Sequence, residues 1–217
     1  MRSADDADLT ARARIRDAAI TVFVRDGFGA TVRAVAATAD VSPGLVIHHF
    51  GSKAGLRAEC DAHVLAHGRE RADSLLGDRA RMGDAIGAAL ARLADEGPML
   101  GYLTRVLAEG GEVARSFLDR LVADTERSMR VAVAAGTVRP SVDEAARARH
   151  IVAMSLGTLS MDLVMNPPDD PTDGAAIVAA YADRMLVPAT EYATHGLFTD
   201  TAALDAVLTA RATEEQA

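Results

Sequence analysis

The segment at residues 40–53, DVSPGLVIHHFGSK, places a helix start, two histidines and a lysine within one short stretch. Ser42 can cap a helix, and Pro43 fits its first position because the N–H that proline lacks would have no partner inside the helix there. The sequence therefore predicts a short helix at residues 42–49. Its hydroxyl and imidazole groups are of the kind that donate to base edges or phosphates, and Gly44 would let the backbone approach a groove closely.

The neighbouring residues predict the elements that would position this helix. Thr31 can cap an upstream helix that carries apolar residues at helical spacing, and residues 39–41 supply a turn of about three residues. Downstream, Ser52 can cap a longer helix. A helix, a tight turn and a second helix form a motif whose second helix enters the major groove, while the first crosses the phosphate backbone.

The candidate DNA contacts are polar, basic or groove-fitting residues of this motif and its borders. Leu45 can lie against a thymine methyl group, and His48 can donate to a base or a phosphate. An alternative interpretation is that these residues are only the polar side of a small three-helix bundle. The candidates are Thr31, Arg33, Ser42, Pro43, Gly44, Leu45, His48, His49 and Lys53.

The distribution of charge supports a role in DNA binding, although the net charge of −8 does not. Residues 9–57 hold seven basic and three acidic side chains, a balance of +4, so the rest of the chain carries −12. A basic head on an acidic body would present one face to phosphates and keep the other away from them.

At residues 14–56 the sequence resembles the TetR (tetracycline-repressor) family of bacterial transcription regulators. It departs from the family pattern in three places: Asp40 replaces the usual turn glycine, Ile47–His48 replaces a tyrosine, and Ala54–Gly55 lacks an acidic residue. The resemblance implies a dimeric repressor that a small molecule releases from an operator. It is carried by Ile15, Ala18, Ala19, Phe23, Gly27, Phe28, Thr31, Val35, Ala36, Ala39, Val41, Ser42, Gly44, His49, Phe50, Ser52 and Lys53.

The 217 residues have 49% hydrophobic content, only 4% aromatic residues and no stretch of period-two alternation. This composition and pattern predict an all-α protein. We expect a three-helix helix-turn-helix head at residues 9–50 and a larger helical ligand-binding and dimerisation body at residues 51–212. The first eight residues are expected to be a disordered arm. Further helices are expected at about 52–76, 79–96, 99–108, 112–135, 142–165, 174–195 and 200–212.

Two features bear on location and assembly. A single cysteine and the lack of an apolar N-terminal segment favour a reducing, cytoplasmic setting without membrane contact. Residues 151–165 are apolar nearly all round, so a second copy is expected to cover part of them. We therefore predict a homodimer built on the helices at about 143–165 and 174–195.

Three residues of the predicted helix at 52–76 could form a metal site, an alternative that is not the expected one. Glu59, His63 and His67 lie at i, i+4 and i+8 and could bind zinc, but histidines in this arrangement more often lie at the edge of a core. The chain lacks an HExxH motif and a second cysteine. We expect no metal and no cofactor.

An effector site is expected in the body, because methionines adapt to irregular ligands and the family resemblance implies such a site. The methionines could equally be ordinary core residues. The candidates are His63, His67, Tyr102, Arg105, Met129, Met154, Thr158, Met161 and Tyr181.

Enzymatic activity is not expected, because the sequence contains no GxSxG, no phosphate-binding glycine loop after a strand and no Cys-x-x-Cys. The alternative function is a helical bundle that binds a small molecule or a metal without a DNA role. Salt-dependent affinity for DNA would distinguish the two.

Overall fold

The computed structural model describes residues 4–170 and 173–214, and within these ranges it contains helices and no strand, which confirms the all-α prediction. A 3₁₀ turn, Leu93–Glu96, follows the fifth helix. The α-helices are α1 Ala4–Asp26, α2 Val32–Thr38, α3 Pro43–Phe50, α4 Lys53–Leu76, α5 Met82–Ala91, α6 Gly97–Glu109, α7 Gly111–Ala134, α8 Glu144–Met165, α9 Gly174–His195 and α10 Ala202–Glu214.

The first three helices pack around a small apolar core. Ile15 and Phe23 of α1, Val35 of α2 and Val46 and Phe50 of α3 are all buried. Their spacing follows the helical period, so each helix turns one apolar side inward and leaves the other side to solvent.

The same core continues into the body. Leu56 and Val64 of α4, Tyr102 and Val106 of α6, and Phe117 of α7 belong to one buried cluster with the residues of α1 to α3. The head is therefore packed directly against α4 and α6.

Helix α7 lies between α4 and α8. On the α4 side, Asp124 pairs with Arg69 at 3.1 Å, and Ser128 donates to Asp73 at 2.7 Å. Burial of Ala148, Val152 and Leu159 marks the inward side of α8. Helix α7 therefore connects α4, which begins beside the head, to α8.

Two helix predictions need correction. Residues 79–96 do not form one helix, because the chain breaks at Arg92 and the following 3₁₀ turn directs Glu96 to α4, where it pairs with His67 and Arg71 at 3.1 Å each. Gly97 and Pro98, expected to stop that helix, begin α6 instead, where proline fits the first turn.

The N-terminal arm also differs from expectation. Helix α1 already begins at Ala4. Residues 1–3 lie outside the described part of the chain. The other predicted helices are found with ends within about three residues, the usual uncertainty of a helix boundary.

The chain divides into two compact units between Ala179 and Ala180, inside α9. The second unit holds the rest of α9 and α10. Among the described residues, no helix has the length and apolar character needed to cross a membrane.

Candidate nucleic-acid interface

The turn between α2 and α3 is a Schellman motif. The N–H of Val41 donates to the carbonyl of Ala36 at 2.9 Å, and the N–H of Asp40 donates to that of Ala37 at 3.3 Å. Asp40 has φ of 52°, in the left-handed region that glycine favours and aspartate tolerates. The prediction that Asp40 can replace the usual turn glycine is therefore confirmed.

Side-chain caps fix where the two helices begin. The Thr31 hydroxyl accepts from the N–H of Ala34, and the Ser42 hydroxyl accepts from the N–H of Leu45, both at 3.2 Å. Each cap satisfies an N–H that has no partner inside its helix. The predicted caps of α2 and α3 are thus confirmed.

Helix α3 has one buried and one exposed side. Val46 is fully buried and Phe50 nearly so, whereas Ile47 and His48 are exposed. Ser42, Pro43 and Gly44, in the cap and first turn, are exposed as well. The exposed side can enter a groove of DNA without disturbing the core of the head.

The nine predicted DNA contacts lie on three neighbouring segments: the start of α2, α3 with its cap, and the start of α4. Arg33 is exposed and makes no hydrogen bond or ion pair with the described residues, so its guanidinium is available to a phosphate. Leu45, His49 and Lys53 are half-buried, and Leu45 also packs against the core. Contact of these residues with DNA stays a prediction.

The junction between α3 and α4 is unusually tight. Gly51 has φ of 71°, and a Cβ on Gly55 would lie 2.1 Å from the carbonyl oxygen of Phe50. The Ser52 hydroxyl caps α4 by accepting from the N–H of Gly55 at 3.0 Å. Only glycine at position 55 allows α3 to end this close to α4, a role that was not expected from the sequence.

Arg12 holds the end of α3. Its Nη1 donates to the carbonyl oxygen of His49 at 3.0 Å, and its Nη2 pairs with Glu59 of α4 at 2.7 Å. The guanidinium also lies 4.9 Å from the centroid of the Phe50 ring. Sequence alone gave no means of finding this contact, because the partners lie far apart along the chain.

A second set of contacts joins the head to the body through Arg57 on α4. Its guanidinium lies 3.5 Å from the ring centroid of Phe28, in the loop between α1 and α2. The same group pairs with Glu109, at the end of α6, at 2.5 Å. Arg57 therefore links the start of α4 to the loop between α1 and α2 and to the end of α6.

Asp61, one turn further along α4, is buried and hydrogen-bonded. The Tyr102 hydroxyl donates to it at 2.7 Å, and Arg120 of α7 lies 3.8 Å away. Burial raises the pKa of Asp61, although the Tyr102 hydroxyl and the nearby arginines oppose the shift. Burial, with the hydrogen bond to Asp61, also raises the pKa of Tyr102, so the phenol remains a donor.

Several residues that were predicted to bind an effector instead form hydrogen bonds or ion pairs within the protein. The hydroxyl of Tyr102 is used by Asp61, and Arg105 donates to the backbone carbonyls of Val24 and Arg25 at 2.6 and 2.9 Å, closing the end of α1. His67 pairs with Glu96. None of these structural roles was expected from the sequence.

The remaining candidates are dispersed. Burial lowers the pKa of the half-buried His63. Met129 is buried, whereas Met154 and Met161 are 39% and 50% exposed. Thr158 lies on α8, and Tyr181 belongs to the second unit. Their contact with an effector stays a prediction.

The arrangement Glu59, His63 and His67 does not form a metal centre in the part of the chain that the structure describes. No group of three or more His, Cys, Asp or Glu side chains there could hold an ion. Glu59 and His67 instead pair with Arg12 and Glu96.

A cleft of about 510 Å³ lies between α7 and α8 at the turn that follows α6. None of the nine predicted effector residues lines it. The lining residues are Leu107, Gly110, Gly111, Ala114, Arg115, Leu118, Asp119, Val122, Arg149, Val152, Ala153 and Leu156.

Comparison with known proteins agrees with this architecture. Residues 15–60 match the family model described as bacterial regulatory proteins, tetR family, and residues 95–199 match the tetracyclin repressor-like C-terminal domain. The HTH-type transcriptional regulatory protein RaaS of Mycobacterium tuberculosis is 41% identical over 208 residues, which is 96% of this chain and 95% of that protein.

Solved structures show the same fold. Salmonella enterica GusR superposes with a TM-score of 0.51 at 22% identity, covering 81% of this chain and 95% of that one. SmeT, the repressor of the Stenotrophomonas maltophilia multidrug efflux pump SmeDEF, superposes with a TM-score of 0.53 at 21% identity, covering 79% and 88%. With the helix-turn-helix geometry and the identity to RaaS, these findings show that the chain belongs to the tetR family of bacterial regulatory proteins.

Proposed function

We propose that the protein is a dimeric repressor that binds a near-palindromic operator and is released from it by a small-molecule effector. The observation that carries the proposal is the exposed side of α3, which presents Ser42, Pro43, Gly44 and His48 to solvent while Val46 is held in the core. A helix fixed in this way can enter the major groove with its first turn toward base edges.

In this proposal the predicted contacts have two roles. His48 and Leu45 read bases, because they lie on the helix that enters the groove. Thr31, Arg33 and Lys53 contact phosphates from the starts of the two flanking helices, which sets the position of α3 without reading sequence. The family relationship supports regulation of transcription, and catalysis has no part in this function.

Dimerisation through α8 and α9 is supported by their exposed apolar residues. On α8, Met161, Val164 and Met165 are 50%, 82% and 70% exposed. On the second half of α9, Leu186 and Val187 are 41% and 72% exposed. Apolar side chains of this size are favoured at an interface, and two copies supply the two heads that a near-palindrome needs.

The DNA role is tested on the full-length chain. Operators are selected from a random duplex library, and affinity is then measured by fluorescence anisotropy over a salt series. We expect Lys53→Ala to weaken binding to all sequences and to flatten the salt dependence, and His48→Ala to change preference among sequences. The control is Arg92→Ala, an exposed position in the break after α5. Unchanged affinity and preference in both test variants would contradict the proposed surface.

The dimer is tested by light scattering at micromolar concentration. Val164→Asp should yield a monomer, because dimerisation would bury the new carboxylate in the proposed interface. Operator binding should then weaken, because a monomer has only one head. Val142→Asp is the matched control, since Val142 is 72% exposed in the loop before α8. A monomeric wild-type protein, or a Val164→Asp dimer as stable as wild type, would contradict the interface.

A further inference from the structure

The cleft between α7 and α8 combines an apolar floor with charged groups at its sides. Val152 and Ala114 on the floor are buried, and Leu107, Leu118, Val122 and Leu156 are half-buried around them. A cleft of about 510 Å³ is in the size range of small-molecule sites. Its floor suits the hydrocarbon body of a ligand.

Two arginines from facing helices lie in the lining, Arg115 on α7 and Arg149 on α8. Neither makes a hydrogen bond or ion pair with the described residues, in contrast to Arg120 and Arg127 of α7, which both face carboxylates of α4. Asp119 is the one acidic residue of the lining, so the cleft carries one net positive charge.

We propose that this cleft binds an amphipathic carboxylate, with the hydrocarbon body on the apolar floor and the carboxylate between Arg115 and Arg149. Guanidinium groups suit this role because they bind carboxylates through paired, charge-assisted hydrogen bonds. A neutral apolar molecule would gain nothing from the charges of these two exposed arginines. The inference rests on the proposed function, in which this ligand is the effector.

The position of the cleft connects it to the DNA-binding head. Gly110 and Gly111, with φ of 64° and 72°, line the cleft directly after Glu109, the residue that pairs with Arg57 of α4. On α7, the lining residue Asp119 is followed by Arg120, which faces Asp61 of α4. A ligand that shifts this turn or the start of α7 therefore acts on the helix that begins directly after α3.

Binding is tested by calorimetry on the full-length protein with decanoate and, as a neutral apolar match, 1-decanol. Wild type should bind decanoate at least about tenfold more tightly than 1-decanol. Arg115→Gln and Arg149→Gln should each reduce decanoate affinity by about tenfold, the usual effect of one lost charge-assisted hydrogen bond. Neither variant should change the affinity for 1-decanol. Arg92→Gln, outside the cleft, is the control.

A second variant tests the cleft without removing an arginine. Ala153→Glu places a carboxylate at an exposed position of the lining and should repel decanoate more than 1-decanol. Decanoate affinity that is unchanged in Ala153→Glu, or in a double variant that combines Arg115→Gln with Arg149→Gln, would overturn the site. Equal affinity of wild type for decanoate and 1-decanol would overturn the ligand class.

Operator affinity measured in parallel separates this inference from the proposed function. Bound decanoate should lower operator affinity, and Glu109→Gln should reduce that effect while leaving decanoate binding unchanged. Operator binding without any decanoate binding would overturn the inference and leave the proposed function standing. Arginine-dependent decanoate binding without operator binding would support the site and overturn the proposed function. Decanoate that binds without changing operator affinity would overturn its effector role.

Discussion

Replacing Arg12 with alanine should weaken operator binding because it loosens α3, not because it removes a DNA contact. The guanidinium joins the His49 carbonyl, the Phe50 ring and the Glu59 carboxylate. It thereby ties the C-terminal end of α3 to α4. Without it, α3 should sample a wider range of orientations, and only some of these fit the groove.

The size of the effect follows from these contacts. A hydrogen bond with a charged donor contributes about 1.5–3 kcal/mol. The pair with Glu59 adds no more than about 1 kcal/mol, because the two side chains are 41% and 35% exposed. A cation–π contact at an exposed site adds about 0.5–1 kcal/mol. The contacts share one guanidinium and do not add fully, so we expect α3 to be loosened by about 2 kcal/mol.

That figure corresponds to roughly a thirtyfold loss of affinity for each head. It is an upper limit, because the buried side chains of Val46 and Phe50 still hold α3. The expected loss lies between roughly fivefold and thirtyfold for each head, and the two factors multiply when both heads of a dimer are bound.

The assay is fluorescence anisotropy with the selected operator over a salt series, with circular dichroism to confirm that each variant is folded. Arg12→Ala should lower affinity without changing the salt slope, whereas loss of one phosphate contact in each of the two subunits would reduce that slope by about 1.8. Arg14→Ala is the matched control, since Arg14 is exposed on the same helix and makes no ion pair with the described residues.

Glu59→Gln provides the decisive comparison. If Arg12 acts by positioning α3, loss of its partner should weaken operator binding. If Arg12 instead contacts a phosphate, loss of a nearby negative charge should strengthen binding. A reduced salt slope in Arg12→Ala together with tighter binding by Glu59→Gln would refute the positioning role.

Three other predictions follow from single residues. Gly55→Ala should lower the free energy of unfolding in urea by about 1–3 kcal/mol, because the added Cβ would clash with the backbone at the end of α3. Gly68→Ala is the control on the same helix: the space around Gly68 is open, so the added Cβ should raise the free energy of unfolding by about 0.4–1 kcal/mol. The raised pKa of Asp61 means that Asp61→Asn should gain stability relative to wild type as pH rises from 3.8 through that raised pKa. Hydrogen bonds and ion pairing outweigh burial and lower the pKa of Asp73, so Asp73→Asn should lose relative stability as pH rises through that lowered pKa toward 3.8. A trend of the opposite sign in either variant would contradict the direction assigned to that carboxyl. Lys53 is the only lysine in the sequence, so mass spectrometry after amine labelling should show its protection by operator DNA, and equal labelling with and without DNA would contradict the predicted contact.

The helix-turn-helix could be predicted from the sequence because its signals are local. Thr31, Ser42 and Ser52 each cap a helix by accepting from an N–H three residues later. The left-handed turn at Asp40 likewise depends on hydrogen bonds within six residues. Local caps and turns of this kind do not depend on which other helices pack nearby. The order of the helices could therefore also be predicted from the sequence.

Tertiary structure alone decided how those elements are held together. Arg12 meets His49 and Glu59 across 37 and 47 residues, and Tyr102 meets Asp61 across 41. After the break at residue 92, Glu96 pairs with His67 and Arg71 of α4, which lie 29 and 25 residues earlier in the chain. A helical pattern shows which side of a helix is buried but not which helix covers it, so neither these contacts nor the cleft between α7 and α8 could be predicted from the residues alone.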